Sequence, residues 1–477
     1  MRARRLAALA VGVLALGGAT APAAIATQAG NALAPVRAPV RAHAAATRGP
    51  SVAAALRALL HTGAIDESAY REDSSTYAAA KAALGRLSGT RREELGAVLA
   101  NVQAIAAAGE LIPSRLPAVS LTLERNRQWW TDEPLIDGEQ HVSFPGSKIV
   151  WEHYPGQGLQ IQWLATFGEA NGYYLSGHEN ANLRQLLDEA IPLASDRAGG
   201  IAWEYLFEFD GGAPPWTSGL SQGTAIQVLA RAWQRFKEPA YLAAAQQALG
   251  IFREPPPQGV RVSTPVGAMY AEYTYAPSDK ILNGFIQSLV GLYEYTQITK
   301  DPLGERLFEA GDADARAIVP FYNTGAWSMY DQFGESDLNY HELLTEFLAH
   351  LCERTREGPP IRQTGTPIAG DQIYCTTAQA FTADLHTPPA IALLSKTLRT
   401  NVRAGVQLSL SKVATVNLTV RKGATVVWSN SATVERGRPR LLWVTPAKSG
   451  SFTVTLTATD LAGNVASTSG TIVLTSH

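Results

Sequence analysis

Residues 221–236 read SQGTAIQVLARAWQRF, and residues 240–252 read AYLAAAQQALGIF. The first segment is apolar on nearly every side at helical spacing, whereas the second has one polar face. A helix that is apolar all round is buried among neighbours, and a helix with a polar face lies at the surface. The pair therefore predicts an inner helix followed by an outer helix.

This couplet recurs on both sides of the quoted stretch. The apolar segment 159–171 precedes an amphipathic segment around 183–191, and the apolar segment 281–296 precedes the amphipathic segment 303–318. Stacked repeats of inner and outer helices are typical of an α/α-toroid, an incomplete barrel of helical hairpins. We predict this mainly α architecture for residues 51–385, with long aromatic loops between couplets where function usually resides.

The pattern changes after residue 385. Apolar and polar residues alternate over 416–420 and again over 452–456, and Asp460 to Asn464 form a turn signal before a last strand. Short alternating strands without helical periodicity favour a sandwich of two sheets. We predict a C-terminal immunoglobulin-like β-sandwich over residues 386–477.

The N-terminus is typical of a secretory signal peptide. Three arginines stand within the first five residues, the apolar run 6–16 follows, and Ala24-Ile25-Ala26 fits a small-residue cleavage site. The apolar run is too short to span a bilayer, although an uncleaved anchor is the alternative. We predict a signal peptide over 1–26, a flexible linker over 27–50, and a secreted, extracellular protein without a membrane span after cleavage.

Composition and cysteine usage narrow the classes of partner. The chain is 46% hydrophobic and 17% charged with a net charge of −2, and no Lys/Arg run marks a patch for nucleic acid. The two cysteines, Cys352 and Cys375, can pair in an oxidising compartment, and no Cys/His cluster has zinc-like spacing. We expect no nucleic-acid partner, no metal and no cofactor, and the sequence leaves a homo-oligomer open.

Several short motifs keep a fixed order between residues 216 and 341. They are Trp216-Thr-Ser-Gly-Leu-Ser-Gln-Gly223, Glu272-Tyr273, Ile281-Leu-Asn-Gly-Phe285 leading to Gly291-Leu-Tyr293, Ser328-Met-Tyr330-Asp331, and Asn339-Tyr340-His341. The ordered set resembles the C-terminal domain of the D-glucuronyl C5-epimerases. That family forms an α/α-toroid and converts D-glucuronate into L-iduronate within a heparosan-type polysaccharide. The resemblance therefore implies a carbohydrate epimerase that acts on a uronate-containing, heparan-sulfate-like polymer.

The resemblance also implies which residues act. The family's catalytic groups fall on four positions: Glu272, Tyr273, Tyr330 and Tyr340. Supporting or substrate-binding roles are predicted for six more: Gln222, Asn283, His341, Trp216, Arg125 and Arg127. The competing interpretations are structural, since a tyrosine or tryptophan is usually a packing residue and an arginine is usually solvated or salt-bridged.

The chemistry of the reaction fits these residue types. The C5 proton lies next to a carboxylate and is very weakly acidic, so a base on one face and an acid on the other are needed. The substrate carboxylate must be neutralised, and Glu272 could donate a hydrogen bond to it if burial raises its pKa. Tyr330 and Tyr340 come from different loops and are expected on opposite faces of one sugar ring.

The sequence departs from the animal enzymes beside the third motif. There the Tyr-Asp pair is followed by Leu-Arg-His, whereas this chain has Gln332, Phe333 and Gly334. The second histidine that the animal enzymes carry shortly after the Tyr-His pair is also missing, and Leu344 lies near that place. The added sandwich is foreign to the family pattern, and because no motif lies in it we expect the helical part to work without it.

Three other functions stay open on the sequence. A glycoside hydrolase would need two carboxylates flanking the scissile bond, and Glu272 with Asp331 or Glu204 is a candidate pair. A polysaccharide lyase begins with the same proton abstraction but ends in elimination. A non-catalytic glycan-binding protein is the third possibility, since fold similarity alone does not fix function.

Processing gives the first testable prediction. The secreted protein should begin near Thr27, because cleavage follows the small residues at positions 24 to 26. N-terminal sequencing of the exported protein checks this, and a chain that still begins at Met1 would contradict it.

Overall fold

The computed structural model describes residues 49–357, 362–363, 366–367 and 372–476. The predicted signal peptide and nearly all of the predicted linker lie outside these residues. Over the ranges that are described, no helix combines the length and the hydrophobicity needed to cross a bilayer.

Helices make up most of the described residues up to Asp384. The described residues contain twelve α-helices: α1 (Val52–His61), α2 (Glu67–Leu84), α3 (Gly89–Ala107), α4 (Leu116–Asp132), α5 (Trp163–Ser176), α6 (Asn180–Ala190), α7 (Gly219–Phe236), α8 (Pro239–Ala248), α9 (Leu282–Thr299), α10 (Pro302–Ile318), α11 (Leu338–Glu357) and α12 (Gln372–Asp384).

The helices form the predicted couplets. Helices α5, α7, α9 and α11 pack one against the next, and each also packs against the helix that follows it in sequence. Every residue of α9 from Leu282 to Tyr293 is buried, whereas α10 exposes one face. The mainly helical body and its inner and outer helices are therefore confirmed. Closure of the series into a complete toroid stays a prediction.

The expected helix over 159–171 is wrong at its start. Gly158–Ile161 is a strand, β3, which pairs with Trp151–Tyr154, β2, and helix α5 begins only at Trp163. Gly158 has a φ of 74°, which suits a hairpin turn, and the Gln162 side chain caps the helix. A short apolar run cannot by itself distinguish a buried strand from a buried helix.

Helices α7 and α9 approach each other through glycines. A Cβ added at Gly223 would lie 2.7 Å from the Cα of Ser288, and one added at Gly291 would overlap the Gly223 carbonyl oxygen. The backbones are therefore in direct contact. The motif around Gly223 serves this close packing.

Short strands lie in the connections of the helical body. They are β1 (His141–Val142), which pairs with β2 in a sheet of order β1-β2-β3, and the hairpins β4 (Ser195–Arg197) with β5 (Gly200–Ala202), β6 (Arg261–Ser263) with β7 (Ala268–Tyr270), and β8 (Arg362–Gln363) with β9 (Thr366–Pro367).

The chain switches from helices to strands between Asp384 and Ile391. The C-terminal strands are β10 (Ile391–Leu393), β11 (Thr397–Arg399), β12 (Arg403–Leu410), β13 (Ala414–Lys422), β14 (Thr425–Val434), β15 (Arg440–Val444), β16 (Gly450–Asp460) and β17 (Val465–Thr475). They form two sheets, of order β10-β12-β15 and β11-β17-β16-β13-β14, whose inward residues share one core.

We call residues 391–475 the sandwich. Its alternating burial confirms the predicted C-terminal strands. Strand β11 pairs with β17 in parallel, so the larger sheet is mixed. The immunoglobulin-like classification and the domain boundary near residue 385 stay predictions.

A disulfide joins the last two helices of the body. Cys352 in α11 and Cys375 in α12 are bonded, with their Cα atoms 4.9 Å apart and a separation of 23 positions in sequence. A closed loop of this size stabilises the fold by about 3 kcal/mol on the loop-entropy model. The pairing also supports folding in an oxidising compartment.

The glycine contact between α7 and α9 can be tested by substitution. Gly291→Ala should destabilise the protein by about 1–3 kcal/mol, because the added methyl group meets backbone that cannot move aside. Urea unfolding measures the change. Gly96→Ala in α3 is the matched control, since its Cβ would meet only a leucine methyl at 3.6 Å. Equal stability of the two variants would contradict the packing argument.

Candidate active site

The inner helices bring polar side chains to one rim. Gln162 caps the start of α5, Gln222 lies in the first turns of α7, Asn283 is the second residue of α9, and Tyr340 is the third of α11. The free N–H groups at a helix start carry a partial positive charge. This rim therefore offers a favourable potential to an anion.

Backbone hydrogen bonds join the loops along this rim. Gly219 N donates to Ala271 O at 3.1 Å, and Leu282 N donates to Tyr330 O at 3.2 Å. These bonds hold the loop of Glu272 and the loop of Tyr330 against the starts of α7 and α9. The motif with Glu272 and the motif with Tyr330, which are distant along the chain, are thus brought to the same rim.

Glu272 is buried in this cluster, with 1% of its surface exposed. One carboxyl oxygen lies against Gly284, where a side chain would overlap it. Neither oxygen has a partner at ordinary hydrogen-bond geometry among the described residues. The Tyr273 phenol lowers the pKa of the carboxyl group and so offsets part of the increase caused by burial. Burial raises the pKa of Glu272 to about 8, so the carboxyl group titrates near neutral pH.

Tyr330 and Tyr340 lie side by side. Their ring centroids are 4.7 Å apart, with 56° between the ring planes. Burial, and then the nearby Glu272 carboxyl, raise the pKa of both phenols well above the usual value. No sugar fits between the two rings at this distance. The expectation that their hydroxyl groups stand on opposite faces of one sugar stays a prediction.

Tyr273 belongs to an aromatic wall next to the tyrosine pair. Its ring stacks on Tyr275 at 5.3 Å and meets the edge of Trp216 at 5.7 Å. Burial and the Glu272 carboxyl raise the pKa of the Tyr273 phenol. Trp216 is 1% exposed, stacks on Tyr205 at 4.2 Å and donates its indole N–H to the Phe207 carbonyl. The structure gives Trp216 a packing role in this wall.

Two buried amides contribute to the cluster. Neither polar atom of the Asn283 side chain has a partner among the described residues. Gln222 donates from Nε2 to the Trp203 carbonyl at 2.9 Å, while its Oε1 is unpaired within the same described set. Buried polar groups without partners are uncommon and indicate a function.

His341 lies behind the cluster. It is fully buried and stacks on Trp327 at 3.7 Å. Its Nδ1 accepts from Ser328 N, and its Nε2 donates to the Phe381 carbonyl at 3.0 Å. Burial lowers the pKa of His341 to about 4, so the ring is neutral at physiological pH. The geometry makes His341 a support for the loop of Tyr330, with no surface open to a substrate.

The two arginines of α4 have partners outside the tyrosine cluster. Arg127 forms an ion pair with Glu124 on its own helix. Arg125 donates to Gln128 and lies over the Phe144 ring at 4.6 Å. The structure does not bring either guanidinium to the Glu272 carboxyl through these contacts, and the substrate-binding role of the two arginines stays a prediction.

A second group of polar side chains, around Gln162, lies on the rim and was not predicted from the sequence. Gln162 donates to Glu152 at 2.9 Å and to the Tyr154 hydroxyl at 2.6 Å, and it accepts from the Tyr205 hydroxyl at 3.1 Å. His141 Nε2 lies 3.4 Å from Glu152. Besides burial, Glu152 and Glu272 both raise the pKa of Tyr205. The sequence pattern that indicates Gln162 is a side-chain amide at or near the start of each apolar helix, as at Gln222 and Asn283.

The two carboxylates that were considered as partners of Glu272 in a hydrolase, Glu204 and Asp331, are bound by other groups. Glu204 is buried between Arg115, at 2.5 Å, and Arg197, at 2.6 Å. Asp331 accepts from the backbone N–H groups of Phe333 and Gly334 and so closes a turn. Across the residues that can be described, no cluster of three or more His, Cys, Asp or Glu could hold a metal.

Comparison with known proteins places this cluster in a family segment. Residues 197–363 match the sequence profile described as D-glucuronyl C5-epimerase C-terminus. Glu272, Asn283, Tyr330 and Tyr340 all lie inside the matched residues.

Two relatives share parts of the chain. It is 34% identical over 131 residues to the D-glucuronyl C5-epimerase of Caenorhabditis elegans, which covers 25% of this chain and 21% of that enzyme. It is 25% identical over 151 residues to an uncharacterized protein of Methanocaldococcus jannaschii, covering 30% of this chain and 49% of that protein. The matched region thus covers about a fifth of the length of the Caenorhabditis elegans enzyme and about half of the length of the Methanocaldococcus jannaschii protein.

The buried Glu272 predicts a pH-dependent stability difference. The pKa of Glu272 in the folded protein lies above the usual 4.5. Below pH 4.5 the carboxyl group is protonated in both the folded and the unfolded state, so it causes no difference in stability there. As the pH rises towards 8, the unfolded state loses this proton first and the folded state becomes less stable. Glu272→Gln should therefore raise the free energy of unfolding at pH 8.5 by roughly 2–5 kcal/mol more than at pH 4. Urea unfolding at both values measures this. The exposed control Glu254→Gln should show no such difference, and a pH-independent effect of Glu272→Gln would contradict the assignment.

Proposed function

We propose that the protein inverts C5 of D-glucuronate residues, because residues 197–363 match the sequence profile of the D-glucuronyl C5-epimerase C-terminus. The proposed substrate is an extracellular heparosan-type polysaccharide. The disulfide between Cys352 and Cys375 supports an oxidising, extracellular location. The proposal is an isomerase that leaves chain length unchanged.

One observation carries this proposal. Glu272, Asn283 and Tyr330 are buried on the rim, and each has polar atoms that form no hydrogen bond of ordinary geometry among the described residues. An unpaired buried polar group costs about 1–3 kcal/mol, so three together would be costly without a ligand that pairs with them. A uronate ring, with its carboxylate and hydroxyls, supplies both hydrogen-bond donors and acceptors.

The start of α9 fits the substrate carboxylate. Its first N–H groups carry partial positive charge, and the Asn283 amide can donate a hydrogen bond at the same place. The carboxylate would thus be stabilised by helix N–H groups and an amide, in place of the arginine that Phe333 replaces relative to the animal enzymes. This stabilisation matters most as charge develops on the enediolate.

The proton transfers follow from the pKa differences. Glu272, with a pKa of about 8, can exchange a proton near neutral pH and is the proposed base. It takes the proton as the C5–H bond breaks, and the electron pair moves onto the substrate carboxyl group. Tyr330 and Tyr340 are protonated at the start, so one phenol donates its proton to C5 on the other face; the phenolate then regains a proton from solvent, and Glu272 releases the one that it took. The roles reverse for L-iduronate.

A lyase shares the first step, so the product must decide between the two reactions. Elimination would give shorter chains with an unsaturated sugar, whereas epimerisation gives an intact chain with exchanged hydrogen. Hydrolysis is disfavoured because Glu204 and Asp331 are already bound by other groups.

The deciding experiment is proton NMR of glucuronate polymers incubated with the protein in D₂O. The C5 hydrogen should be replaced by deuterium, and L-iduronate should appear in chains of unchanged length. Shortened or unsaturated chains would replace the epimerase proposal by a lyase or hydrolase. Absence of any exchange with every uronate polymer would refute it.

Tyrosine variants test the residue roles. Tyr330→Phe and Tyr340→Phe each remove one hydroxyl with little change in volume, so the fold should survive. Loss of a proton-transfer group should lower the epimerisation rate by about 10²–10⁴-fold. Tyr241→Phe is the control, because its hydroxyl bonds Asp188 outside the site. If both site variants keep near-wild-type rates, the tyrosine assignment is wrong.

A further inference from the structure

The sandwich contacts the body at the segment that carries Tyr330. We call residues 327–336 the Tyr330 loop. Backbone hydrogen bonds close this loop on itself, from Ser336 N to Ser328 O at 3.0 Å and from Tyr330 N to Gly334 O at 2.9 Å. Glu335, near its end, accepts from Val413 N of the sandwich at 3.0 Å.

Lys412 is the centre of the contact. It is 1% exposed, pairs with Asp460 of the sandwich at 2.6 Å, and donates to the carbonyls of Asp384 and Thr387 at 2.8 and 2.6 Å. A buried ammonium group is tolerated only when its donors are satisfied. Lys412 therefore fixes the sandwich to the end of α12 and the link that follows.

The same ammonium lies over an aromatic ring of the Tyr330 loop. Its distance to the centre of Trp327 is 5.0 Å, within the range of a cation–π contact. Trp327 stacks on His341 and donates its indole N–H to the Ser336 carbonyl at 2.8 Å. Lys412, Trp327 and His341 are thus linked by successive contacts, and His341 directly follows Tyr340 in α11.

We propose that Lys412 is a positioning residue: through Trp327 and His341 the sandwich holds Tyr330 and Tyr340 in place for the reaction. This inference rests on the proposed function. It replaces the expectation that the helical part works without the sandwich. A displacement of about 1 Å in a catalytic group can cost 10²-fold in rate, so such support is sufficient to control activity.

The test uses full-length variants. Lys412→Met removes the charge at similar length, and Lys422→Met is the control, because Lys422 contacts the Phe452 ring inside the sandwich at 4.8 Å. We expect faster amide hydrogen exchange in residues 327–336 of Lys412→Met. We also expect at least about a tenfold fall in kcat with little change in KM. Lys412→Arg should restore most of the rate, and Lys422→Met should resemble the wild type.

Wild-type protection of the loop in Lys412→Met would overturn the inference, and so would faster exchange with an unchanged kcat. If Lys412→Met does not fold, Arg436→Gln replaces it. Arg436 is half exposed and lies 3.6 Å from Glu335, so its loss should loosen the same loop to a smaller extent. If the wild type does not epimerise, the proposed function fails. Hydrogen exchange still decides whether Lys412 orders the loop.

Discussion

The backbone contact between α7 and α9 is the constraint on which the site depends. Gly223 and Gly291 let the two helices touch without side chains between them. Gln222 precedes one of these glycines, and Asn283 lies at the start of the other helix. The contact also fixes where the intervening loop must pass, and that loop carries Glu272. A wider separation would open space for water and remove the burial on which the properties of Glu272 rest.

Burial is the main cause of the electrostatic character of the site. It raises the pKa of Glu272 towards neutrality and moves the pKa of the tyrosines further from it. Burial thus leaves one group, Glu272, that titrates near neutral pH and two tyrosines that do not. In the proposed reaction, this difference lets Glu272 act as the base and a tyrosine as the acid. The helix starts on the rim provide positive potential without adding a titratable group.

The sandwich has a closer relation to the site than its position in sequence indicates. The turn between β12 and β13 meets the Tyr330 loop through Lys412 and Val413. A loop that is held on both sides loses less entropy when a substrate binds, because it is already ordered. The contacts of Lys412 and Val413 therefore join the sandwich to the loop that carries Tyr330.

Sequence by itself determined the inner and outer helices, the alternating C-terminal strands and the ordered motifs that include Glu272, Tyr330 and Tyr340. These features follow from local periodicity and residue order, which are readable along the chain. Only the tertiary structure decided that Leu159 lies in a strand and not in the helix that follows. It also decided that Gln162 reaches Glu152 and Tyr205, and that Lys412 lies over Trp327. It also decided that Tyr330 and Tyr340 lie side by side. Such contacts join residues far apart in sequence, and their distances depend on how closely the helices pack, which no local pattern specifies.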